Sequence, residues 1–482
     1  ASGAAAAAAA AAACEENIRV LVRVRPLLPR ERAGAAVTEV AADRGSVRIE
    51  TDLHRVEARF DHVFPCEASQ AEVYEQVRFA AESVARGLNS TIFAYGQTGS
   101  GKSYTMFGPE DDLSIYDSAG AEPSEAMGVI PRAIREIIEQ AALVESESRK
   151  AGAAEEEEVS IFCSFLQIYN DQPFDLLRDP NRVRPLQVHE NTRTKEIYVV
   201  GLSEYAIHSV QDCLALLEQG DEQRACRQTS MNDVSSRSHS IFQMIVERRK
   251  VESGRVIRSK FNLVDLAGSE KWGLNETLEK GHISEMTNIN TSLHVLGRCI
   301  TALTDPEATH IPFRDSKLTR ILMDALGGNS RTCIIATLSP SEQYVEESIS
   351  TLKFADRAKR VMQHAHVVET REVNLELVER LEREIEHLRS VLSTAGVDPA
   401  LWQNGQAPGG GQAWADLPQR ASSLGEAAAA GDSAAAMKMQ KQLLDASERI
   451  RRLEKDNAML RAATESGSVQ LGGGQQQQQQ QQ

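Results

Sequence analysis

The sequence predicts an α/β fold, because short apolar segments typical of buried strands alternate with longer segments of helical periodicity. Two of the predicted strands, at 91–95 and 261–265, lead directly into glycine-containing polar segments. The segment after the first strand fits the pattern Gly, four residues, Gly-Lys-Ser, and the second strand ends in an aspartate. These two strand–loop pairs are where the sequence is most informative.

Composition indicates a soluble globular protein rather than a nucleic-acid or membrane protein. The 482 residues, enough for two or three domains, are 41% apolar and 25% charged, with a formal net charge of −16. That charge argues against a general affinity for nucleic acid. No apolar run approaches the ~18 residues that a membrane span needs. The seven cysteines are scattered, which favours reduced thiols in a cytosolic protein.

Both ends of the chain have low complexity. Residues 1–16 contain an alanine run without the basic flank of a signal peptide, and residues 464–482 end in a glutamine tract. We therefore expect the chain to be a piece of a longer protein.

Periodicity and turn residues predict the remaining elements. An alternating strand is expected at 18–26, where Pro26 ends it, and a helix at 69–88 is expected to be capped by Ser69. The other predictions are a strand at 60–64, a surface insertion at 108–128, a helix at 129–143, a solvated loop tip at 155–158, and strands at 159–169 and 241–246.

The segment after the first strand is predicted to bind phosphate. Its glycines, Gly96, Gly99 and Gly101, allow a tight turn in which successive backbone N–H groups face one anion. A helix beginning near Lys102 adds the positive end of its dipole. Lys102 would then reach the β- and γ-phosphates, and the Ser103 hydroxyl would coordinate Mg²⁺. The alternative is a chance match in a glycine-rich turn.

Two further segments have the composition of a phosphate site. Residues 232–240 are rich in hydroxyl and amide side chains, and their adjacent Ser235 and Ser236 precede Arg237. Such a segment is usually an ordinary turn, but two hydroxyls beside an arginine are also suited to a metal-bound phosphate and its attacking water. Asp265, at the end of an apolar strand, is typical of a carboxylate on the metal side of such a site, and Gly268 allows a backbone N–H to approach the γ-phosphate.

Taken together, these segments resemble the nucleotide site of the kinesin motor domain. The resemblance covers about 17–369 and includes, in the family's order, the segments 23–26, 96–106, 166–170, 236–239, 265–270, 289–293 and 310–320. It implies a P-loop NTPase fold, a central and mostly parallel sheet with helices on both faces, and a motor domain over 17–360. The cofactors it implies are ATP and Mg²⁺.

The resemblance also assigns roles to individual residues. Glu270 and Arg237 would form the salt bridge that closes the site, with Glu270 also passing on a proton. Ser235 would place the attacking water, Ser103 and Ser236 would hold Mg²⁺, and Asp265 would act on the metal from its second coordination shell. Nucleotide binding is assigned to Gly96, Gln97, Thr98, Gly99, Ser100, Gly101, Lys102, Ser103 and Tyr104, with Arg23, Arg25, Pro26 and Tyr104 bordering the adenine.

In kinesins a loop and helix corresponding to 272–294 lie on tubulin. The residues that the resemblance places on this face are Lys271, Arg314, Lys317 and Arg320. Because tubulin is acidic, a basic patch should make binding salt-sensitive. Without the resemblance, a solvated helix end whose cations pair with residues such as Asp315 would be favoured. Thr291, where the family usually has lysine, departs from the pattern.

The residues after the motor domain suggest a neck and two helical segments. Residues 361–370 correspond to the kinesin neck linker, in which Val367 and Val368 suit a strand, although the family commonly has asparagine in place of Val368. Heptad-like apolar spacing predicts short coiled coils at 371–394 and 437–463, separated by a flexible Gly/Ala/Pro/Ser-rich linker at 395–436. Homodimerisation through them is expected, and solitary amphipathic helices are the alternative.

The expected function is ATP-driven movement along microtubules by a cytoplasmic, cytoskeletal protein. A neck placed after the motor resembles plus-end-directed kinesins. A non-motile microtubule-binding scaffold with weak turnover and a microtubule depolymerase are the alternatives. No segment of the sequence predicts a cargo.

Overall fold

The structure is a computed structural model that describes residues 14–31, 35–109, 116, 124–150, 156–179, 184–192, 195–230, 237–251, 253–270 and 280–371. Nearly all of these residues belong to one compact unit, which ends at Glu369. The predicted coiled coils, the linker between them and the glutamine tail lie beyond residue 371, outside the described residues.

The described residues form groups of strands separated by helices. The strands are β1 (Cys14–Asn17), β2 (Arg19–Val24), β3 (Thr38–Val40), β4 (Ser46–Glu50), β5 (Arg55–Arg59), β6 (His62–Phe64), β7 (Ser90–Tyr95), β8 (Glu157–Tyr169), β9 (Gln172–Asp175), β10 (Gln187–Glu190), β11 (Ile197–Val200), β12 (Tyr205–Ile207), β13 (Ser238–Lys250), β14 (Arg255–Asp265), β15 (Arg331–Leu338), β16 (Met362–Ala365) and β17 (Glu369–Arg371). The helices are α1 (Gln70–Ala85), α2 (Lys102–Met106), α3 (Val129–Ser148), α4 (Val210–Ser230), α5 (Lys280–Leu303), α6 (Lys317–Ile321) and α7 (Val345–Ala358).

The central sheet is mixed rather than mostly parallel, which corrects the sequence prediction. Its strand order is β12-β8-β13-β14-β7-β15-β2-β6. All pairs from β14 to β6 are parallel, whereas those from β12 to β14 are antiparallel. The antiparallel half arises because β8, β13 and β14 are long, and β13 and β14 are joined by a short turn.

Helices cover both faces of this sheet, as predicted. Ile92 and Ala94 of β7 pack into a core formed with α1, α3 and α4, whereas Phe93 and Tyr95 pack into a core formed with α5, α6 and α7. Every residue of β7 is buried, as expected for a central strand covered on both faces. The phosphate loop therefore emerges from the most enclosed part of the sheet.

Helix α1 illustrates how local sequence determines an element boundary. Ser69 is its N-cap: its side chain accepts a hydrogen bond from the Glu72 N–H, and Glu72 accepts one from the Ser69 N–H. This capping box satisfies two backbone donors that the helix leaves without partners. Val73, Val77 and Val84 lie on the buried face, as their spacing predicts.

The end of the predicted N-terminal tail (1–16) contacts the predicted neck linker (361–370), which the sequence did not indicate. β1, which begins within the predicted tail at 1–16, pairs antiparallel with β16. The Glu16 carboxylate receives two hydrogen bonds from Arg331, at 2.6 and 3.0 Å. A bidentate ion pair of this kind fixes the edge of β1 against β15.

Within the predicted neck linker, the strands are β16 and β17. The sequence had instead predicted a strand that includes Val367 and Val368. Val367 and Val368 lie between these strands, and Val368 is exposed. The backbone N–H of His366 donates to the side chain of Asn329 at 2.7 Å, so the ladder of β16 does not continue through this point.

The loop tip predicted at 155–158 also needs correction, because β8 already begins at Glu157. Arg248 of β13 pairs with the Glu157 carboxylate across the sheet. Part of the acidic run therefore lies in a strand and supplies a cross-strand partner for Arg248. Composition alone did not distinguish this strand end from a solvated turn.

No helix among the described residues has the length and apolar character of a membrane span.

Candidate functional site

The phosphate loop joins β7 to α2 and depends on glycine at defined positions. Gly99 and Gly101 have φ of +73° and +99°, in the left-handed region that favours glycine. A Cβ on Gly96 would lie 2.4 Å from the carbonyl oxygen of Thr337, which β15 brings alongside. The predicted helix does begin at Lys102, but it contains only five residues.

Lys102 is enclosed by this loop. Its Nζ donates to the carbonyl oxygen of Gln97 at 2.8 Å, and the residue is buried. Burial lowers the pKa of Lys102, while the carboxylates of Asp265 and Glu270 act in the opposite direction. The site therefore holds a desolvated cation, which interacts more strongly with a polyanion than a solvated one does.

On the metal side, Ser103 and Asp265 are in direct contact. Because β14 pairs parallel with β7, Asp265 lies next to Ala94, at the base of the loop. The Ser103 hydroxyl donates to Asp265 Oδ2 at 2.6 Å, and Arg224 of α4 approaches the same oxygen at 3.3 Å.

These residues fit Mg²⁺ bound together with phosphate. Asp265 Oδ1 is buried and has no hydrogen-bond partner, which leaves an acceptor for a metal-bound water. Among the described residues, no group of three or more His, Cys, Asp or Glu side chains forms a metal cluster. Mg²⁺ is commonly bound by one or two protein oxygens plus substrate phosphates, which this donor set matches. Ser236, the other predicted metal ligand, lies outside the described residues.

The segment 268–270 is tied to the phosphate loop. The N–H of Ser269 donates to the carbonyl oxygen of Gly96 at 3.1 Å, and the Glu270 carboxylate accepts from the Thr98 N–H at 2.7 Å and from its hydroxyl. A Cβ on Gly268 would lie 2.2 Å from Thr98 Oγ1, so only glycine fits in this arrangement. The predicted approach of the Gly268 N–H to the γ-phosphate stays a prediction.

Arg237 immediately precedes β13, whose first residues lie at the edge of the sheet where β14 ends. Ser235 lies outside the described residues. The salt bridge between Arg237 and Glu270 stays a prediction. What the structure adds is that Glu270 lies against Thr98, at the mouth of the loop.

The four residues expected to border the adenine have different environments. Tyr104 and Pro26 are exposed, whereas Arg23 is buried beneath Tyr104, with its guanidinium carbon 5.2 Å from the ring centroid. Burial lowers the pKa of Arg23. Arg25 donates from Nε to the carbonyl oxygen of Gly99 at 2.7 Å, which connects the strand β2 to the phosphate loop. Arg23 therefore supports Tyr104 from below, and Arg25 supports the loop.

Several supporting residues were missed by the sequence analysis. Both oxygens of the Glu31 carboxylate bind the Arg25 guanidinium at 2.7 Å, and Glu31 is 2% exposed. The hydrogen bonds from Arg25 lower the pKa of Glu31. No motif marks this glutamate, because its role depends on a turn at 29–31 that returns the chain to Arg25. Four other residues were missed as well. Gln70 bonds Arg23, and Arg224 bonds Asp265. Thr337 bonds Ser100, and His239 bonds the backbone of Ala267.

The predicted filament-facing cations lie on another part of the unit. Arg314 pairs with Glu190 at 3.0 Å and its side chain is 75% exposed, while Asp315 pairs with Arg298 at 3.0 Å. Lys317 and Arg320 belong to α6, which Ser316 caps through its side chain. Lys271 lies outside the described residues. Asp315 was expected to pair with one of these predicted filament-facing cations, but its partner is Arg298.

The fold and the phosphate loop together are those of the P-loop NTPase fold. The family model described as the kinesin motor domain matches residues 23–361, well over half of the chain, and the chain belongs to the kinesin family. The relationship predicted from the sequence motifs is thereby confirmed.

Three comparisons illustrate the range of relatives. Kinesin-related protein 5 of Dictyostelium discoideum is 40% identical over 356 residues, which are 73% of this chain and 33% of that protein. Kinesin-like protein KIF11 of Xenopus tropicalis is 39% identical over 393 residues, 79% of this chain and 35% of that protein. A solved structure of a fast kinesin matches with a TM-score of 0.64 and 36% identity, covering 73% of this chain and 94% of that one. The chain thus spans about a third of the length of these two curated relatives.

Proposed function

We propose that this chain is a microtubule-stimulated ATPase that converts ATP hydrolysis into movement along microtubules. The observation that carries the proposal is the contact between the phosphate loop and the segment 268–270, through Gly96 with Ser269 and Thr98 with Glu270. A segment bonded to the phosphate loop in this way responds to whatever occupies the loop. Its chain continues toward α5, on the face expected to meet tubulin.

In this proposal, different residues at the phosphate loop bind the phosphates, the base and Mg²⁺. Lys102 and the backbone N–H groups of Gly99, Gly101 and 102–103 hold the phosphates. Tyr104 and Pro26 face the base, and Ser103 and Ser236 hold Mg²⁺, with Asp265 behind it. Mg²⁺ held there would neutralise the charge that develops as the γ-phosphoryl group passes from ATP to water, with ADP as the leaving group.

Glu270 and Arg237 close the site in this proposal, and Ser235 places the attacking water. Because phosphoryl transfer depends mainly on positioning and charge neutralisation, loss of Glu270 should stop turnover and spare binding. Glu270→Ala is expected to bind an ATP analogue with nearly the affinity of the parent chain while hydrolysis falls about 10³-fold. Normal turnover by this variant would contradict the role given to Glu270.

The filament-facing residues are Arg314, Lys317 and Arg320, with Lys271 as a further contact. The Arg314 guanidinium is exposed and Lys317 and Arg320 are half-buried, and cations in this position suit an acidic partner such as tubulin. The neck follows the motor core, since β16 comes directly after α7, and this order supports plus-end-directed movement. Dimerisation through 371–394 and 437–463 and a cytoplasmic location on microtubules complete the proposal.

A gliding assay with polarity-marked microtubules tests this function against its alternatives. Surface-bound protein with ATP should move filaments with their minus ends leading, as a plus-end-directed motor does. Filaments that bind without moving would favour the non-motile scaffold, and filaments that shorten in ATP would favour a depolymerase. Movement with plus ends leading would overturn the proposed direction alone.

A further inference from the structure

His239 makes two hydrogen bonds that join three separate elements near the nucleotide site. It is the second residue of β13 and is 2% exposed. Its Nδ1 accepts from the backbone N–H of Ala267 at 2.9 Å, and its Nε2 lies 2.8 Å from the hydroxyl of Ser292 in α5. The ring therefore connects the residue just before Gly268 to the helix expected to lie on tubulin.

These contacts determine the protonation state of the ring. Because Nδ1 accepts a hydrogen bond, the single proton of the neutral imidazole lies on Nε2, which donates to Ser292 Oγ. Burial, with a smaller contribution from the positive charge of Lys102, lowers the pKa of His239 to about 3. The neutral ring and both of its hydrogen bonds therefore persist throughout the physiological pH range.

The position of the ring is fixed by the sheet. β13 pairs with β8 along its whole length, with His239 opposite Ile168, and pairs with β14 from Ser240 onward, so His239 cannot shift without disturbing the central sheet. Ala267 and Ser292, in contrast, belong to a loop and a helix that lie outside the sheet. A rigid aromatic ring held by the sheet thus sets the distance between these two elements.

We propose that His239 is a positioning residue that couples the 267–270 segment to α5. A change at the phosphate loop displaces the backbone at Ala267. The ring of His239 transmits this displacement to α5 through its hydrogen bond with Ser292. The relevance of this coupling to filament movement rests on the proposed function. The coupling itself is between the nucleotide bound at the phosphate loop and the conformation of α5.

Variants of the full chain separate the two ends of the connection. His239→Asn keeps an acceptor near the position of Nδ1 but is too short to reach Ser292. Ser292→Ala removes the hydroxyl that accepts from Nε2 and leaves the ring in place. Thr301→Ala is the matched control, since it also removes a hydroxyl from α5, one that bonds only within the helix, to Gly297.

The first measurement is hydrogen–deuterium exchange of the α5 amides with ADP and with a non-hydrolysable ATP analogue. The parent chain and Thr301→Ala should show a nucleotide-dependent difference in α5, and His239→Asn and Ser292→Ala should lose most of it. Equal differences in all four proteins would overturn the proposal, and so would the absence of any difference in the parent chain. If His239→Asn fails to fold, Ser292→Ala decides the question alone.

The second measurement is microtubule stimulation of ATP turnover in the same proteins. Each of the two variants should lower the stimulation about tenfold, and the double variant should be no worse than either, because both break one connection. Losses that multiply in the double variant would show independent effects and overturn the coupling. A parent chain that responds to nucleotide in α5 but not to microtubules would contradict the proposed function and leave the coupling intact.

Discussion

The nucleotide site and the predicted filament face hold their cations in opposite ways. At the nucleotide site Lys102 is 8% exposed, and Arg25 is bound by a buried carboxylate and by the backbone of the phosphate loop. On the filament face Arg314 is largely exposed and pairs with Glu190 near the surface. Buried, preorganised groups interact strongly and at one position, whereas exposed pairs contribute little individually and are screened by salt. Substitutions in the two regions should therefore differ in magnitude.

The largest effect is expected for Lys102→Ala. This change removes the cation enclosed by the phosphate loop, and ATP turnover should fall about 10³-fold or more, with loss of nucleotide binding. Titration with a fluorescent ATP analogue measures it. The control is Lys353→Ala, which removes an exposed lysine of α7. Nucleotide binding by Lys102→Ala at the affinity of the control would show that the enclosed lysine is not the phosphate ligand.

A smaller effect is expected for Glu31→Gln. The neutral amide weakens the charge-assisted bonds to Arg25, which positions the loop through Gly99. Hydrogen bonds to charged groups contribute about 1.5–3 kcal/mol, so the KM for ATP should rise about tenfold with little change in kcat. Glu57→Gln, which alters an exposed pair with Arg48, should leave the KM unchanged. A loss confined to kcat in Glu31→Gln would place this residue in the chemical step instead.

The buried His239 predicts how stability depends on pH. Its pKa in the folded chain is about 3, below the 6.5 of an exposed histidine, so the unfolded chain binds more protons between these values. The free energy of unfolding should therefore be fully maintained above about pH 6.5 and should fall, by up to about 1.4 kcal/mol per pH unit from this group, as the pH is lowered toward 3.

Denaturant unfolding between pH 4 and 7 checks this dependence. His239→Asn should have a shallower slope than the parent chain, because asparagine does not titrate. His62, whose pKa burial also lowers, is common to both proteins and cancels in the comparison. Identical slopes would mean that the pKa of His239 is not lowered in the folded chain.

The smallest effects are expected on the filament face. Arg314→Ala should raise the microtubule concentration for half-maximal ATP turnover about two- to threefold at low salt, and Glu190→Gln, which frees Arg314, should lower it by a similar factor. Both differences should shrink as salt is added. Effects in the same direction for both variants would mean that Arg314 and Glu190 do not act through their charges.

The nucleotide site was largely predictable because its chemistry is local in sequence. The phosphate loop requires glycines, a lysine and a serine at fixed spacing between a strand and a helix, and each of these residues lies where the pattern predicts. Asp265 was recognisable because it ends an apolar strand. The parallel pairing of β7 with β14 then brings the two segments together.

Features that depend on tertiary contacts were not predictable from sequence. Glu31 and Thr337 act through partners on other elements, and no local spacing identifies them. His239 lies in a segment that the resemblance includes, but its contacts with Ala267 and Ser292 were not predicted. The pairing of β1 with β16 joins residues far apart in sequence, and β1 follows an alanine run that indicated only a tail. The antiparallel half of the sheet was missed because apolar strands have the same composition in either orientation.

The most direct test of the proposed function is steady-state ATP turnover by the full chain, with and without taxol-stabilised microtubules at low salt. We expect turnover to rise strongly as microtubules are added and the rise to diminish with salt. Turnover that is the same with and without polymerised tubulin would contradict a nucleotide site coupled to a filament-binding surface.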